Sequence, residues 1–218
     1  MPTRMELGQV VLTEGPLKDR FDWNDAYIRH LDLDRLLYWY RHFGGVGNAE
    51  GVQPYPDWES GPLWYGITMG HYLSACAMMY QSTEDPWYLG RVEESVDALA
   101  ECQKPNGLLF AMEEDRFDRI EAGQDINQAG PAFYYIHKTL AGLIDAYECC
   151  GSQKALDVAQ KLADWVYEKT QSYLEHGTRL TVLSVEYGGI AEPLYELYAI
   201  TGSQKALEAA HFFQEDGI

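Results

Sequence analysis

An internal repeat constrains the fold of this chain more than any other feature of the sequence. The segment GSQKAL occurs at residues 151–156 and again at residues 202–207, an offset of 51 residues. A similar helical pattern of apolar residues precedes both copies. Self-similarity at a fixed offset is typical of proteins that place one supersecondary unit several times in series. We therefore expect this chain to consist of repeated units of about that length.

The pattern within each unit predicts two helices of different kinds. Residues 139–149 and 194–200, which precede the two copies, are apolar on nearly every side. The segment after the first copy has an apolar stripe at helical spacing, formed by Leu156, Ala159, Leu162, Ala163 and Val166. A helix that is apolar all round is usually buried, whereas a striped helix faces water on one side. Each unit is therefore predicted to be a buried helix followed by an amphipathic outer helix.

The residues between the two helices fit a short turn. Gly151 and Gly202 suit the exit from a helix, because glycine adopts left-handed backbone angles without steric cost. Ser152 and Ser203 follow directly and are good N-caps for the next helix.

A third, diverged unit precedes these two, so the chain is predicted to be all-α. We expect helical hairpins at residues 71–103, 137–169 and 190–215, a leading helix at 31–45 and an extended arm at 1–30. Buried first helices and amphipathic second helices are what an α/α toroid requires, since its inner helices touch neighbours on all sides. The predicted fold is one partial α/α-toroid domain over residues 1–218; a tetratricopeptide-type solenoid, with a shorter period, is the second choice.

The charge of the chain excludes some classes of partner. Lys and Arg total 16 and Asp and Glu total 34, which gives a net charge of −18 that repels a phosphate backbone, so no nucleic-acid partner is expected. No apolar run approaches the roughly 18 residues of a membrane span, and no signal peptide is evident, so we expect no membrane partner and a cytoplasmic location. The four cysteines lack zinc-site spacing and are expected to be free thiols.

Polar and aromatic residues collect in three long connections, at residues 53–70, 104–136 and 171–189. In a toroid of hairpins, the connections from each outer helix to the next inner helix open at the same end, which we call the mouth. His71, His137, Glu186 and Glu192 lie where these connections meet the inner helices. The fold therefore predicts that these four residues surround one axial cavity.

The residue types at the mouth favour a sugar site. Aromatic faces cover the C–H side of a sugar ring, and carboxylates and imidazoles hydrogen-bond its hydroxyls. Trp58, Glu59 and Tyr135 belong to the same connections. Structural roles remain open for all of these residues: a satisfied imidazole for either histidine, a helix cap for Glu186 and Glu192, and a loop anchor for Trp58.

Several motifs resemble the β-L-arabinofuranosidases of glycoside hydrolase family 127 and the related family 146. They are WE at residues 58–59, GHYLSA at 70–75, AMMY at 77–80, YIHKT at 135–139, and EYGG at 186–189 followed by Glu192. The resemblance implies an (α/α)6 barrel that binds L-arabinofuranose at its mouth, with zinc in many members. It implies that His71, His137, Trp58, Glu59, Glu186 and Glu192 line or support that cleft.

The chain also departs from the family pattern. Where the family usually reads Glu-x-Gly-Gly-Met-Asn-Glu, this sequence has Ile190 and Ala191 before Glu192. The family's acid/base glutamate and its zinc-held nucleophilic cysteine belong to segments further along. Neither Cys149 nor Cys150 falls on the nucleophile's motif, so we expect no metal ligand or cofactor within this chain, and the catalytic residues remain unassigned.

Three functional hypotheses follow. The first is a glycoside hydrolase-like domain that binds L-arabinofuranose or a similar sugar and is inactive or weakly active by itself. The second is a non-catalytic carbohydrate-binding or self-assembling helical module. The third is a small enzyme that uses Glu186 and Glu192 as a carboxylate pair. Because three hairpins leave an open apolar seam, we expect a missing C-terminal half, a homo-oligomer or a rearrangement of the end helices to cover it.

Overall fold

The computed structural model describes residues 7–59, 61 and 63–214, and for Trp58 only the backbone. This part of the chain is helical and contains no β-strand. None of its helices is long and apolar enough to cross a membrane. The α-helices of the described residues are α1 (Pro16–His30), α2 (Leu33–Leu36), α3 (Tyr38–Gly44), α4 (Ile67–Thr83), α5 (Pro86–Cys102), α6 (Arg116–Glu121), α7 (Ile126–Ala129), α8 (Ala132–Cys150), α9 (Gln153–Glu175), α10 (Arg179–Leu183), α11 (Ala191–Thr201) and α12 (Gln204–Phe212).

Three helical hairpins form two layers. The pairs α4 and α5, α8 and α9, and α11 and α12 pack together within each hairpin. In the inner layer α8 lies between α4 and α11, and in the outer layer α9 contacts both α5 and α12. This arrangement confirms the predicted all-α fold of the α/α-toroid type.

Two glycines bring the inner helices α4 and α8 into backbone contact. A Cβ atom added to Gly70 would lie 2.4 Å from the carbonyl oxygen of Lys138, and one added to Gly142 would lie 2.6 Å from the carbonyl oxygen of Gly70. Real Cβ atoms do not approach backbone so closely, so only glycine fits at either position. Because Gly70 meets Lys138 while Gly142 meets Leu73 further along, the two helices run parallel and begin at the same end.

The repeated segment forms the predicted turn in both copies. Gly151 and Gly202 have left-handed backbone angles, with φ of 71° and 72°. The side chain of Ser152 accepts a hydrogen bond from the N–H of Ala155 at 3.3 Å, and Ser203 accepts one from Ala206 at the same distance. These contacts confirm the predicted helix exits and N-caps.

The prediction of an extended arm over residues 1–30 is wrong for residues 16–30, which form α1. The helix begins with Pro16 at its first position, where proline is tolerated because no helical N–H is needed there. It packs on α4 through partly buried Phe21 and buried Ile28. The signal was missed because Trp23 and Tyr27 are exposed, so the apolar residues of this helix do not form one stripe. Residues 1–6 lie outside the described part of the chain.

The leading segment and the long connections contain more helix than the pattern indicated. The predicted helix over residues 31–45 is divided into α2 and α3 at Leu37, which is completely buried. The second long connection contains α6 and α7, and the third contains α10. Helix α6 packs against α7 and α10, and its Phe117 contacts Phe133 at the start of α8.

Candidate functional site

The first turns of the parallel inner helices bring together side chains from all three hairpins. His71 lies on α4 and His137 lies on α8, each in the second turn of its helix. Glu192 lies in the first turn of α11, preceded by the loop that contains Glu186 and Gly189. The structure therefore brings these predicted residues to the same end of the inner layer, the predicted mouth.

His137 is the most enclosed of the predicted polar residues, with 5% of its surface exposed. Its Nδ1 atom accepts a hydrogen bond from the N–H of Gly189 at 3.0 Å, so the neutral ring carries its proton on Nε2. Burial, with the positive charge of Lys138 and the neighbouring His71, lowers the pKa of His137 to about 4. The imidazole is therefore neutral at physiological pH and has an Nε2–H available as a donor.

His71 is exposed and contacts α8 through Tyr134. Its Nε2 atom lies 3.3 Å from the hydroxyl oxygen of Tyr134. Partial burial, with Lys138 nearby, lowers the pKa of His71 as well. Both imidazoles are therefore held in their neutral forms, which can donate one hydrogen bond and accept another.

Two consecutive glycines let the backbone before α11 pack closely against His137. A Cβ atom on Gly188 would lie 2.8 Å from the ring of Tyr134 and 2.9 Å from Nδ1 of His137, and the φ of Gly188 is 62°. A Cβ atom on Gly189 would lie 3.6 Å from Nε2 of His137 and 3.9 Å from Oε2 of Glu192. The backbone of Gly189 therefore lies between the His137 imidazole and the Glu192 carboxylate, and Gly189 has no side chain that would fill the gap between these two groups.

The carboxylates of Glu186 and Glu192 have different surroundings, although both residues are exposed. The Oε1 atom of Glu186 accepts a hydrogen bond from the N–H of Gly188 at 2.6 Å, which ties this carboxylate to its own turn. The carboxylate of Glu192 faces Gly189, and its backbone N–H donates to the Gly189 carbonyl at 2.9 Å. Glu192 therefore faces the same glycine that contacts the His137 imidazole.

Glu59 and Tyr135 are buried beneath the first long connection. The carboxylate of Glu59 accepts hydrogen bonds from the N–H groups of Gly66 at 2.8 Å and Thr68 at 3.0 Å, at the start of α4. Burial raises its pKa, against the lowering effect of these hydrogen bonds. The hydroxyl of Tyr135 donates to the carbonyl oxygen of Leu63. The polar atoms of both residues are thus engaged by the protein, and they hold the connection in place.

Trp58, the remaining predicted residue, has a side chain that lies outside the described part of the structure. Trp64, in the same connection, has 44% of its surface exposed. The ring of the next residue, Tyr65, stacks on Trp39 at a centroid distance of 3.7 Å. The end of the first connection is thus anchored on α3 by a stacked aromatic pair.

The donor atoms of the described residues do not fit a zinc site. Among these residues no three His, Cys, Asp or Glu side chains are close enough together to hold a metal ion. Burial raises the pKa of the Cys76 and Cys150 thiols to about 12, which opposes the thiolate form that zinc requires. Cys149 and Cys150 lie at the last turn of α8, at the opposite end from His137.

Sequence reasoning missed Tyr134, which contacts both His71 and His137. The ring of Tyr134 meets the His137 ring edge to face at a centroid distance of 6.0 Å, and Nζ of Lys138 lies 5.3 Å from its centroid. A signal was available, because Tyr134, His137 and Lys138 are spaced three and four residues apart and so share one face of α8.

Comparison with known proteins connects this geometry to a family. Two similar solved structures are a GH127 β-L-arabinofuranosidase from Geobacillus stearothermophilus T6, with a TM-score of 0.59 and 15% identity, and a second GH127 β-arabinofuranosidase, with a TM-score of 0.66 and 17% identity. The matches cover 89% and 95% of this chain but 29% and 33% of the solved chains, so this chain spans about a third of their length. No curated protein matches the chain.

The family model for the GH127 catalytic domain of β-L-arabinofuranosidases matches residues 9–218. This match includes all three hairpins and every residue of the candidate site. Together with the shared toroid fold, it shows that the chain belongs to the GH127 β-L-arabinofuranosidase catalytic-domain family.

Proposed function

We propose that this chain forms one wall of an L-arabinofuranose-binding cleft in a GH127-type glycosidase. The observation that carries the proposal is the meeting of His71, His137 and Glu192, from three hairpins, at one end of the inner helices of a chain that belongs to this family. Their donors and acceptors suit sugar hydroxyls. A neutral ligand is favoured because both imidazoles are neutral and the nearby carboxylates are negative.

The hydrogen-bonding capacity of each group gives it a distinct task. The Nε2–H of His137 donates to a hydroxyl oxygen, because its Nδ1 atom is already used by Gly189. The carboxylate of Glu192 accepts from a hydroxyl on the other side of the gap above Gly189. His71 adds a second imidazole at the exposed rim. The aromatic ring of Tyr134 provides apolar surface for the C–H face of the sugar.

The catalytic acid/base and the nucleophile are proposed to come from outside these residues. The thiols of Cys76, Cys102 and Cys150 have raised pKa values because they are buried, and Cys149 and Cys150 lie far along α8 from the mouth. This supports the expectation that the chain alone is inactive or weakly active, and that zinc, if the enzyme uses it, is held by other segments.

Titration with methyl β-L-arabinofuranoside, followed by calorimetry and by amide NMR shifts, tests the binding proposal. We expect saturable shifts at Gly189 and around His137, and weaker binding in the His137→Gln and Glu192→Gln variants. Methyl β-D-glucopyranoside is the control ligand, and His211→Gln, an exposed site on α12, is the control variant. No saturable shift with the arabinoside would overturn the proposal.

Hydrolysis of 4-nitrophenyl β-L-arabinofuranoside, with and without added zinc, tests the catalytic part. We expect no turnover by the isolated chain. Turnover that disappears in Glu192→Gln would instead favour the third hypothesis, a carboxylate pair of Glu186 and Glu192.

A second candidate is a self-assembling module, and it is favoured by apolar exposure near the last hairpin. Leu180 on α10 has 78% of its surface exposed and Leu174 on α9 has 49%. Exposed apolar side chains that form one contiguous patch are commonly covered by another protein surface. Light scattering tests this candidate, since a strict monomer at high concentration would exclude self-assembly.

A further inference from the structure

We propose that Tyr134 is the positioning residue of the candidate cleft: its hydroxyl fixes His71 and its ring fixes His137 and the Gly188–Gly189 backbone, so that it sets the spacing of the two imidazoles. This inference rests on the proposed sugar-binding function. Tyr134 is half-buried and lies between the two histidines.

The contact with His71 is polar and crosses between helices. The Tyr134 hydroxyl on α8 and Nε2 of His71 on α4 are 3.3 Å apart. His71 is exposed, and this is the contact that links its ring to a neighbouring helix. Without the hydroxyl, the imidazole is free to adopt other rotamers of an exposed side chain.

The contact with the third hairpin is steric. A Cβ atom on Gly188 would lie 2.8 Å from Cδ2 of the Tyr134 ring, so the glycine packs directly against that ring. The next residue, Gly189, donates its N–H to Nδ1 of His137. The Tyr134 ring therefore supports the loop whose backbone determines the tautomer of His137.

The position of Lys138 completes this cluster. Its ammonium group lies 5.3 Å from the centroid of the Tyr134 ring, within the range of a cation–π contact. Tyr134 thereby holds the positive charge beside the two histidines, where it favours their neutral forms. One aromatic side chain thus touches all the groups that are proposed to meet the sugar from α4 and α8.

Nitrogen NMR of the histidine rings tests the proposal without any sugar. The variant is Tyr134→Phe, which removes only the hydroxyl. The matched control is Tyr167→Phe on α9, since Lys205 lies over the Tyr167 ring at the same distance of 5.3 Å. We expect changed nitrogen shifts and a changed titration midpoint for His71 in Tyr134→Phe, and none in the control. Unchanged His71 signals in Tyr134→Phe would overturn the proposal.

Affinity for methyl β-L-arabinofuranoside gives the second measurement. We expect Tyr134→Phe to weaken binding about fivefold to tenfold, while its thermal midpoint remains that of the control. If the unaltered chain does not bind the arabinoside, the proposed function fails, whereas the NMR experiment still decides the positioning role. If Tyr134→Phe does not fold, His71→Asn replaces it: we then expect a changed Cζ shift for Tyr134, and an unchanged shift would overturn the proposal.

Discussion

The Nδ1 atom of His137 and the N–H of Gly189 join two hairpins through one hydrogen bond of 3.0 Å. The bond exists only while the Nδ1 atom is unprotonated, because a protonated imidazole has no acceptor. The protonation state of one buried side chain is therefore coupled to the packing of the third hairpin on the second.

Acid is expected to destabilise the fold through His137. The pKa of the buried ring is about 4, whereas an unfolded histidine has a pKa of about 6.5, so the unfolded state binds more protons between these values. The free energy of unfolding is therefore highest above pH 6.5 and falls as the pH drops towards 4, by about 3 kcal/mol in total. The lowered pKa of His71 adds in the same direction.

Urea unfolding at pH 7 and pH 5 measures this effect. We expect His137→Gln to be less stable at pH 7 but to lose less stability than the parent chain between the two pH values. His211→Gln is the control and should follow the parent. A His137→Gln curve parallel to that of the parent would contradict the assignment.

The repeat, the helix caps and the distinction between inner and outer helices could be predicted because they depend on local sequence. Glycine exits, serine caps and apolar spacing act within a few residues, so the sequence alone predicts Ser152 and Ser203 as N-caps. Helix α1 could not be predicted in this way. Its exposed Trp23 and Tyr27 interrupt the apolar pattern that the buried side of the helix, with Phe21 and Ile28, would otherwise show.

The candidate site was predicted only in part, because its remaining contacts depend on distance in space. The motifs identified His71 and His137, but their link through Tyr134 requires the parallel packing of α4 and α8. Glu59 was expected near the sugar, and its use as a buried acceptor for Gly66 and Thr68 could not be read from spacing alone.

Removing the negative charge of Glu59 is expected to destabilise the start of α4. Glu59 has 1% of its surface exposed and accepts two backbone hydrogen bonds. In Glu59→Gln, the amide NH2 group has to face one of these N–H donors, which leaves a buried donor unsatisfied and costs about 1–3 kcal/mol. Urea midpoints measure the loss, with exposed Glu50→Gln as the control. Equal midpoints would show that the carboxylate does not anchor this helix.

Adding one methyl group between α4 and α8 is expected to destabilise the fold strongly. In Gly70→Ala the new Cβ meets the Lys138 backbone at 2.4 Å, so the helices have to separate, at a cost of about 2–3 kcal/mol. Gly90→Ala on α5 is the matched control, because nothing lies within 4 Å of its added Cβ. That control should gain up to about 1 kcal/mol from helix propensity. Thermal midpoints that moved in the same direction would contradict the proposed close packing.

Gly189→Ala is expected to weaken sugar binding while changing the stability of the fold only a little. No positive φ accompanies Gly189, and an added Cβ would lie 3.2 Å from Cε1 of His137, so the substitution is tight but compatible with the backbone. The methyl group would occupy the gap between the His137 imidazole and the Glu192 carboxylate, where the sugar hydroxyls are proposed to lie. We expect arabinoside affinity to fall at least about tenfold, or about 1.4 kcal/mol.

The thermal midpoint of Gly189→Ala should change by less than that of Gly188→Ala, because alanine at position 188 meets strain at φ 62° and two contacts below 3.0 Å. Unchanged affinity in a folded Gly189→Ala protein would place the sugar elsewhere than in this gap.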